Sequence, residues 1–185
     1  MDALRRGARA PEFALESLDG RSVRLSDHAG RKVLLAFLRN AKCAVCNVWV
    51  HETHARADAW RPLGLDVIVV FESTAARLRE QFEDRRPPFV VLADPDGAVH
   101  DAYGSRVDAE RVRTVVASGS GASALARAKE AGFDAAHEDG ANFFRLPAEV
   151  LVREDGSIAR VHVAEGVVDH LDPDVVTAFA RGDAA

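Results

Sequence analysis

Two apolar runs constrain this chain more than anything else in it. "KVLLAFL" (Lys32 to Leu38) and "LDVIVVFE" (Leu65 to Glu72) are continuous rather than alternating, the composition of strands covered on both faces. The stretch between them reads as a helix over about 44–61, closed by Pro62 and Gly64. Strand, helix and second buried strand make a crossover unit, which sets the two strands parallel. The alternation continues. "TAARLREQFEDR" places Leu78 and Phe82 on one helical face. Pro87-Pro88 break the chain before a third strand, "FVVLA", and "DPDG" (Asp94 to Gly97) is a turn leading to a short segment that ends at Tyr103-Gly104.

Hairpins flank this parallel core. "PEFALESLDGRSVRLSDHAGR" carries Asp19-Gly20 between two short alternating runs, and "PAEVLVREDGSIARVHVAE" is strand, Asp-Gly turn, strand. "DPDVVTAFARG" closes the chain as a helix. Residues 1–10 read as a flexible N-terminal arm and 11–185 as one domain, with an insert over about 105–142. In that insert "SGSGAS" reads as a loop or helix start, with a flexible connector favoured, "ALARAKEAGF" as a helix and "EDGANFFRL" as a loop. The expected architecture is α/β: a mixed central sheet flanked by helices, with an N-terminal β-hairpin extension.

A chain of 185 residues can bury one sizeable core. Its net charge of -5 gives no basic footprint, so nucleic acid is not an expected partner. No apolar run approaches the roughly 20 residues of a membrane helix, and the Arg pair near the N-terminus is not followed by a secretory apolar region. A cytoplasmic location, with no membrane partner, is the expectation.

The two cysteines, Cys43 and Cys46, stand C-x-x-C just after the first buried strand. Paired, they would close only a tiny loop and stabilise little. C-x-x-C beside strand–helix alternation reads instead as a redox motif. A helix N-terminus favours the thiolate, and Lys42 and Arg39 add positive charge nearby. Two other readings compete. The thiols could be inert core residues, although a strand-to-helix junction is a poor place for that. Cys43, Cys46, His51 and His54 could hold zinc, but a helix turns Cys46 and His51 apart. No metal and no organic cofactor is expected. Trp49 and Trp60 fall on one helical face and read as core.

Four segments together resemble the peroxiredoxin-like (AhpC/TSA-type) branch of the thioredoxin superfamily: "PEFALESLDGRSVRLSD", "VLLAFLRNAKCAVCN", "FVVLADPDGAVHDAYG" and "RLPAEVLVREDGSIARVHVAEGVVDHL". The resemblance implies a thioredoxin-like fold. On the family's P-x-x-x-T-x-x-C pattern, Cys46 falls on the peroxidatic cysteine, Cys43 on the threonine and Arg39 on the proline. It also implies a cis-proline at Pro147 facing the thiols. Arg145 lies close to where the family carries an arginine that stabilises the thiolate.

The expected function is that of a thiol-dependent peroxidase working through Cys46 and Cys43, with a peroxide as substrate and a thioredoxin- or glutaredoxin-type reductant. A protein disulfide reductase, with Cys43 attacking a disulfide substrate, is the near alternative. A redox sensor or a non-catalytic binding module is the more distant one. The family register puts Cys46 first and thioredoxin-type sites put Cys43 first, so the order of attack stays open on sequence. The resemblance also allows a homodimer.

Overall fold

The structure, a computed structural model, describes residues 4–183. A single seven-stranded mixed sheet runs in the order β2-β1-β5-β4-β3-β6-β7. Its strands are β1 (Ala14–Ser17), β2 (Ser22–Arg24), β3 (Lys32–Leu38), β4 (Leu65–Phe71), β5 (Val90–Ala93), β6 (Ala148–Val152) and β7 (Ile158–Val163). The continuous apolar runs form the centre: β3 pairs parallel with β4, and β4 parallel with β5. The β1–β2 and β6–β7 hairpins extend the two edges antiparallel.

Each central strand feeds two cores, because successive side chains point to opposite faces. Leu34, Ala36 and Leu38 pack with Val45, Cys46 and Val50 of α1 (Ala44–Trp60) and with Val176 and Phe179 of α6 (Pro173–Arg181). Val33, Leu35 and Phe37 pack on the other face with Phe13, Tyr103 and Val150. Trp60 is buried in the first core and donates its indole N–H to Thr177 Oγ1 (2.9 Å), while Trp49 sits against His170 (5.6 Å between ring centroids). The remaining helices are α2 (Ala75–Gln81), capped by Thr74, and the short α3 (Ala98–Ala102) after the Asp-Pro-Asp-Gly turn.

The insert is more ordered than the sequence suggested. It holds α4 (Ala109–Val116), capped by Asp108, and α5 (Gly119–Glu130), capped by Ser118. "SGSGAS" is therefore not a connector: its first serine caps α5, and the rest is the helix's first turn. Gly121 permits the sharp α4–α5 corner, since a Cβ there would lie 2.1 Å from the Val115 carbonyl oxygen. The expected loose arm is corrected over its second half. Gly7 N–H donates to the Ile158 carbonyl, Ile158 N–H to Ala8 and Ala10 N–H to Gly156, so residues 7–10 dock on the β6–β7 hairpin. Residues 1–3 lie outside the described part.

Candidate active site

The C-terminal end of β3 passes through Arg39–Lys42 into α1, and Cys43 is the N-cap of that helix. Its extended backbone (φ -71°, ψ 107°) leaves the side chain turned back over the first helical turn, where its sulfur accepts the Cys46 N–H at 3.2 Å. This is the capping interaction usually made by Ser or Asp, made here by a sulfur. Asn47 fixes the approach from beneath by donating to the carbonyls of Ala41 (2.7 Å) and Cys43 (3.0 Å). The two thiols are free, and both cysteines are buried.

Arg39 supplies the charge. Its Nη2 donates to Cys43 Sγ at 3.2 Å and its Nη1 to the Phe143 carbonyl at 2.7 Å, with the guanidinium 4.8 Å from the centre of the Phe143 ring. Arg39 is only 6% exposed. Among the described residues no carboxylate lies within ion-pair distance of it. A buried cation without a partner is costly, so this position calls for an anion, and the sulfur is what faces it. Burial opposes ionisation of Cys43. The hydrogen bond with the Cys46 thiol, the Arg39 charge and hydrogen bond, and the Cys46 N–H outweigh it, so the Cys43 thiol lies below its ordinary value. Cys46 is pushed the other way, by burial and then by the neighbouring Cys43 sulfur, to well above it.

Cys43 alone of the pair opens on a cavity of about 140 Å³. The walls are mainly apolar: Val116 and Leu125 from the insert helices, Ala135, Ala141 and Phe143 from the segment after α5, and Val168 from the chain beyond β7. Glu138 reaches in from the same segment and accepts from Ser73 Oγ (2.7 Å) and, more weakly, from Lys42 N–H (3.4 Å). It ties the insert to the cysteine loop.

The residues singled out from sequence separate here. Arg39, Cys43 and Cys46 come together. Lys42 contributes its backbone, but its ammonium pairs with Glu80 at 3.0 Å instead of a thiol. Arg145 does not reach the site either. Its guanidinium is held by Glu72 (2.7 and 3.1 Å), by Asp101 (2.5 Å) and by the Ser105 carbonyl (2.9 Å). The family role assigned to Arg145 is therefore corrected: the cation on the sulfur is Arg39. Pro147 is corrected too, because no described peptide bond is cis. It is a buried residue opening β6, with its carbonyl accepting the Ala164 N–H at 3.1 Å. The family register puts Cys46 on the attacking position; Cys46 does not line the cavity that Cys43 opens on, and burial and the Cys43 sulfur push its thiol up. His51 and His54 are exposed and line a separate hollow with Arg85 and Phe133. Among the described residues no group of three or more His, Cys, Asp or Glu is arranged to hold a metal. No described helix is long and apolar enough to cross a membrane.

Ser73, Glu138 and Phe143 were not visible as site residues from sequence. Ser73 follows β4 by two positions, where chain ends meet ligands in open parallel sheets, and that position was its one signal. Glu138 and Phe143 lie in a segment without periodicity.

A thioredoxin fold with a C-x-x-C pair at the strand-to-helix junction defines the class of thiol oxidoreductases. Within it the chain belongs to the AhpC/TSA family, whose family model matches residues 6–161. Peroxiredoxin Bcp of Escherichia coli K12 is 30% identical over 104 residues, 56% of this chain and 67% of that protein. Solved structures that share the fold include the following two. A peroxiredoxin-like protein from Aquifex aeolicus has a TM-score of 0.69 at 14% identity, covering 97% of this chain and 87% of that one. The exposed lipoprotein thioredoxin of Streptococcus pneumoniae TIGR4 has a TM-score of 0.59 at 18% identity, covering 93% and 99%.

Proposed function

We propose that this chain is a thiol-dependent peroxidase in which Cys43 attacks and Cys46 resolves. The observation that carries the order of attack is the buried Arg39 guanidinium, paired with the Cys43 sulfur and with no carboxylate among the described residues. Membership of the AhpC/TSA family and the likeness to a peroxiredoxin support the choice of a peroxide as substrate.

The proposed steps run as a two-cysteine cycle. The Cys43 thiolate attacks one oxygen of a hydroperoxide; the S–O bond forms as the O–O bond breaks. The other oxygen leaves as an alkoxide or hydroxide and takes up a proton, giving an alcohol or water. Cys43 is then a sulfenic acid. The Cys46 thiol attacks that sulfur, the S–S bond forms, and water leaves with the Cys46 proton. An outside dithiol of thioredoxin or glutaredoxin type reduces the disulfide and is oxidised in its place. Arg39 holds the nucleophile charged before the first step, and a guanidinium beside the sulfur carries further N–H donors to offer the departing oxygen. A cytoplasmic, reducing compartment would keep such a pair cycling.

The test is stopped-flow oxidation of the reduced protein by hydrogen peroxide, followed by Trp49 fluorescence and free-thiol loss. Wild type should lose two thiols rapidly. Cys46→Ser should undergo one stoichiometric oxidation and trap a sulfenic acid at Cys43, and Cys43→Ser should not react. If Cys46→Ser is the inert variant, the order is the reverse. A thiolate at a helix N-cap is equally suited to attacking a disulfide, which keeps disulfide reductase as a second reading. Slow reaction with peroxide together with fast reduction of a protein disulfide would select it.

A further inference from the structure

The insert does more for the site than cover it. Arg39 is a long side chain with no carboxylate in ion-pair reach among the described residues, so its place against the Cys43 sulfur depends on what else holds it. Phe143 holds it at the other end. Its carbonyl accepts Nη1 at 2.7 Å, its ring lies 4.8 Å from the guanidinium carbon, and the other end of the guanidinium then falls 3.2 Å from the sulfur. The ring is 50% exposed, so it is not at this position to fill a core. A large apolar ring half in water gains only part of what full burial would give, and a cation against its face is a further contact that favours its placement.

The surrounding segment is built to keep the ring there. Phe144 meets Phe143 edge-on (5.5 Å, 86°) and carries Arg113 of α4 on its own face at 4.8 Å. Asp108 N–H donates to the Phe144 carbonyl and Asn142 Oδ1 accepts the Phe144 N–H, fixing the backbone on both sides of Phe144. Glu138 clips the upstream end to Ser73 and to the cysteine loop.

We propose that Phe143 is a positioning residue: its ring and carbonyl hold the Arg39 guanidinium against the Cys43 sulfur, so the segment that ends the insert sets the reactivity of a thiol to which, among the described residues, it gives no hydrogen bond. The inference rests on the Cys43-first reading above.

The experiment is the pH dependence of iodoacetamide alkylation of the reduced full-length protein, with the modified residue located by mass spectrometry. Wild-type Cys43 should alkylate with a midpoint below that of an ordinary thiol. Phe143→Leu keeps an apolar cover but removes the aromatic face, and its midpoint should rise by about one pH unit, a tenfold loss of thiolate below the midpoint. Phe143→Trp should keep the wild-type midpoint. Urea unfolding should be the same for all three, since the ring is half exposed. A Phe143→Leu midpoint equal to wild type, with wild type itself depressed, overturns the role of Phe143 and leaves the thiolate reading standing. An ordinary midpoint in wild type overturns the thiolate reading, and this inference with it.

Discussion

Replacing Arg39 by Gln tests the site at its electrostatic centre. Gln keeps much of the length and an amide donor but removes the charge. Opposite charges about 4 Å apart attract by about 4 kcal/mol at an effective dielectric near 20, equivalent to about three pKa units, and Arg39 Nη2 stands 3.2 Å from Cys43 Sγ. The retained amide and any water that enters return part of this, which leaves a rise of about two units, within the range for one close opposite charge. Below both midpoints the thiolate fraction then falls about 100-fold. A more basic thiolate is also a better nucleophile; by analogy with thiol–disulfide exchange, where the Brønsted slope is about 0.4–0.5, two units return a little under tenfold. Below both midpoints the net loss in the second-order rate with hydrogen peroxide is about tenfold, more if Arg39 also stabilises the leaving oxygen, and it shrinks as pH rises past the Cys43 value of about 5. Stopped-flow rates across pH 5.5 to 9 should show a wild-type plateau reaching to lower pH and a variant rate that climbs with pH through neutrality. A Gln variant with the wild-type rate and plateau would refute the reasoning.

Arg145→Ala should leave the alkylation midpoint of Cys43 unchanged while lowering stability by about 3–5 kcal/mol in urea, because it strands the buried Glu72 carboxylate. Gly121→Ala should cost about 1–3 kcal/mol, since its Cβ would meet the Val115 carbonyl oxygen at 2.1 Å and force α4 and α5 apart. The Cys43 thiol also predicts a pH dependence of folding. Its value in the folded chain is depressed, so the unfolded chain binds more protons between that value and the unfolded value near 8.5. The stabilisation is therefore complete above about 8.5 and is lost as pH falls through the folded value. The stability difference between reduced wild type and Cys43→Ala in urea should shrink steadily over that window; a difference independent of pH would contradict it.

The fold was legible where the chemistry is periodic. The apolar runs of β3 and β4, the helix between them and the Asp-Gly hairpins each follow from local patterning, and they place Cys43 at a helix start. The insert resisted because its helices are short and its order comes from caps and one close contact: Asp108 and Ser118 as N-caps, and Gly121 beneath the Val115 carbonyl. A glycine-serine stretch that starts a helix looks the same in sequence as one that links two. The arginines were misjudged for a similar reason. Arg145 and Arg39 are equally plausible partners for a thiolate by position. What divides them is where the carboxylates lie, and Glu72 and Asp101 come to Arg145 only through the packing of β4 and α3.

That division also explains why the departures from the family pattern at positions 39 and 43 belong together. In the proposed order of attack the reactive sulfur sits at the cap of α1 instead of in its first turn, with one backbone N–H, from Cys46, in a position where burial acts against charge. A helix end alone offers a few tenths to about 1 kcal/mol to an exposed anion, and up to about 2 kcal/mol when partly buried, less than is needed to hold a buried thiol ionised. The deficit is made up by a cation four residues earlier, and a proline at position 39 could not provide one. Arg39 in turn is stable in the interior only if its own charge is answered, and the cap cysteine answers it. Each residue would be unfavourable without the other: Arg39 as an unpaired buried cation, Cys43 as a buried thiolate with a single donor. The arrangement pushes the thiol of Cys46, the residue in the family's peroxidatic register, up, so in the proposed order Cys46 gives up its proton as it attacks the oxidised Cys43, and that proton leaves with the sulfenic oxygen as water.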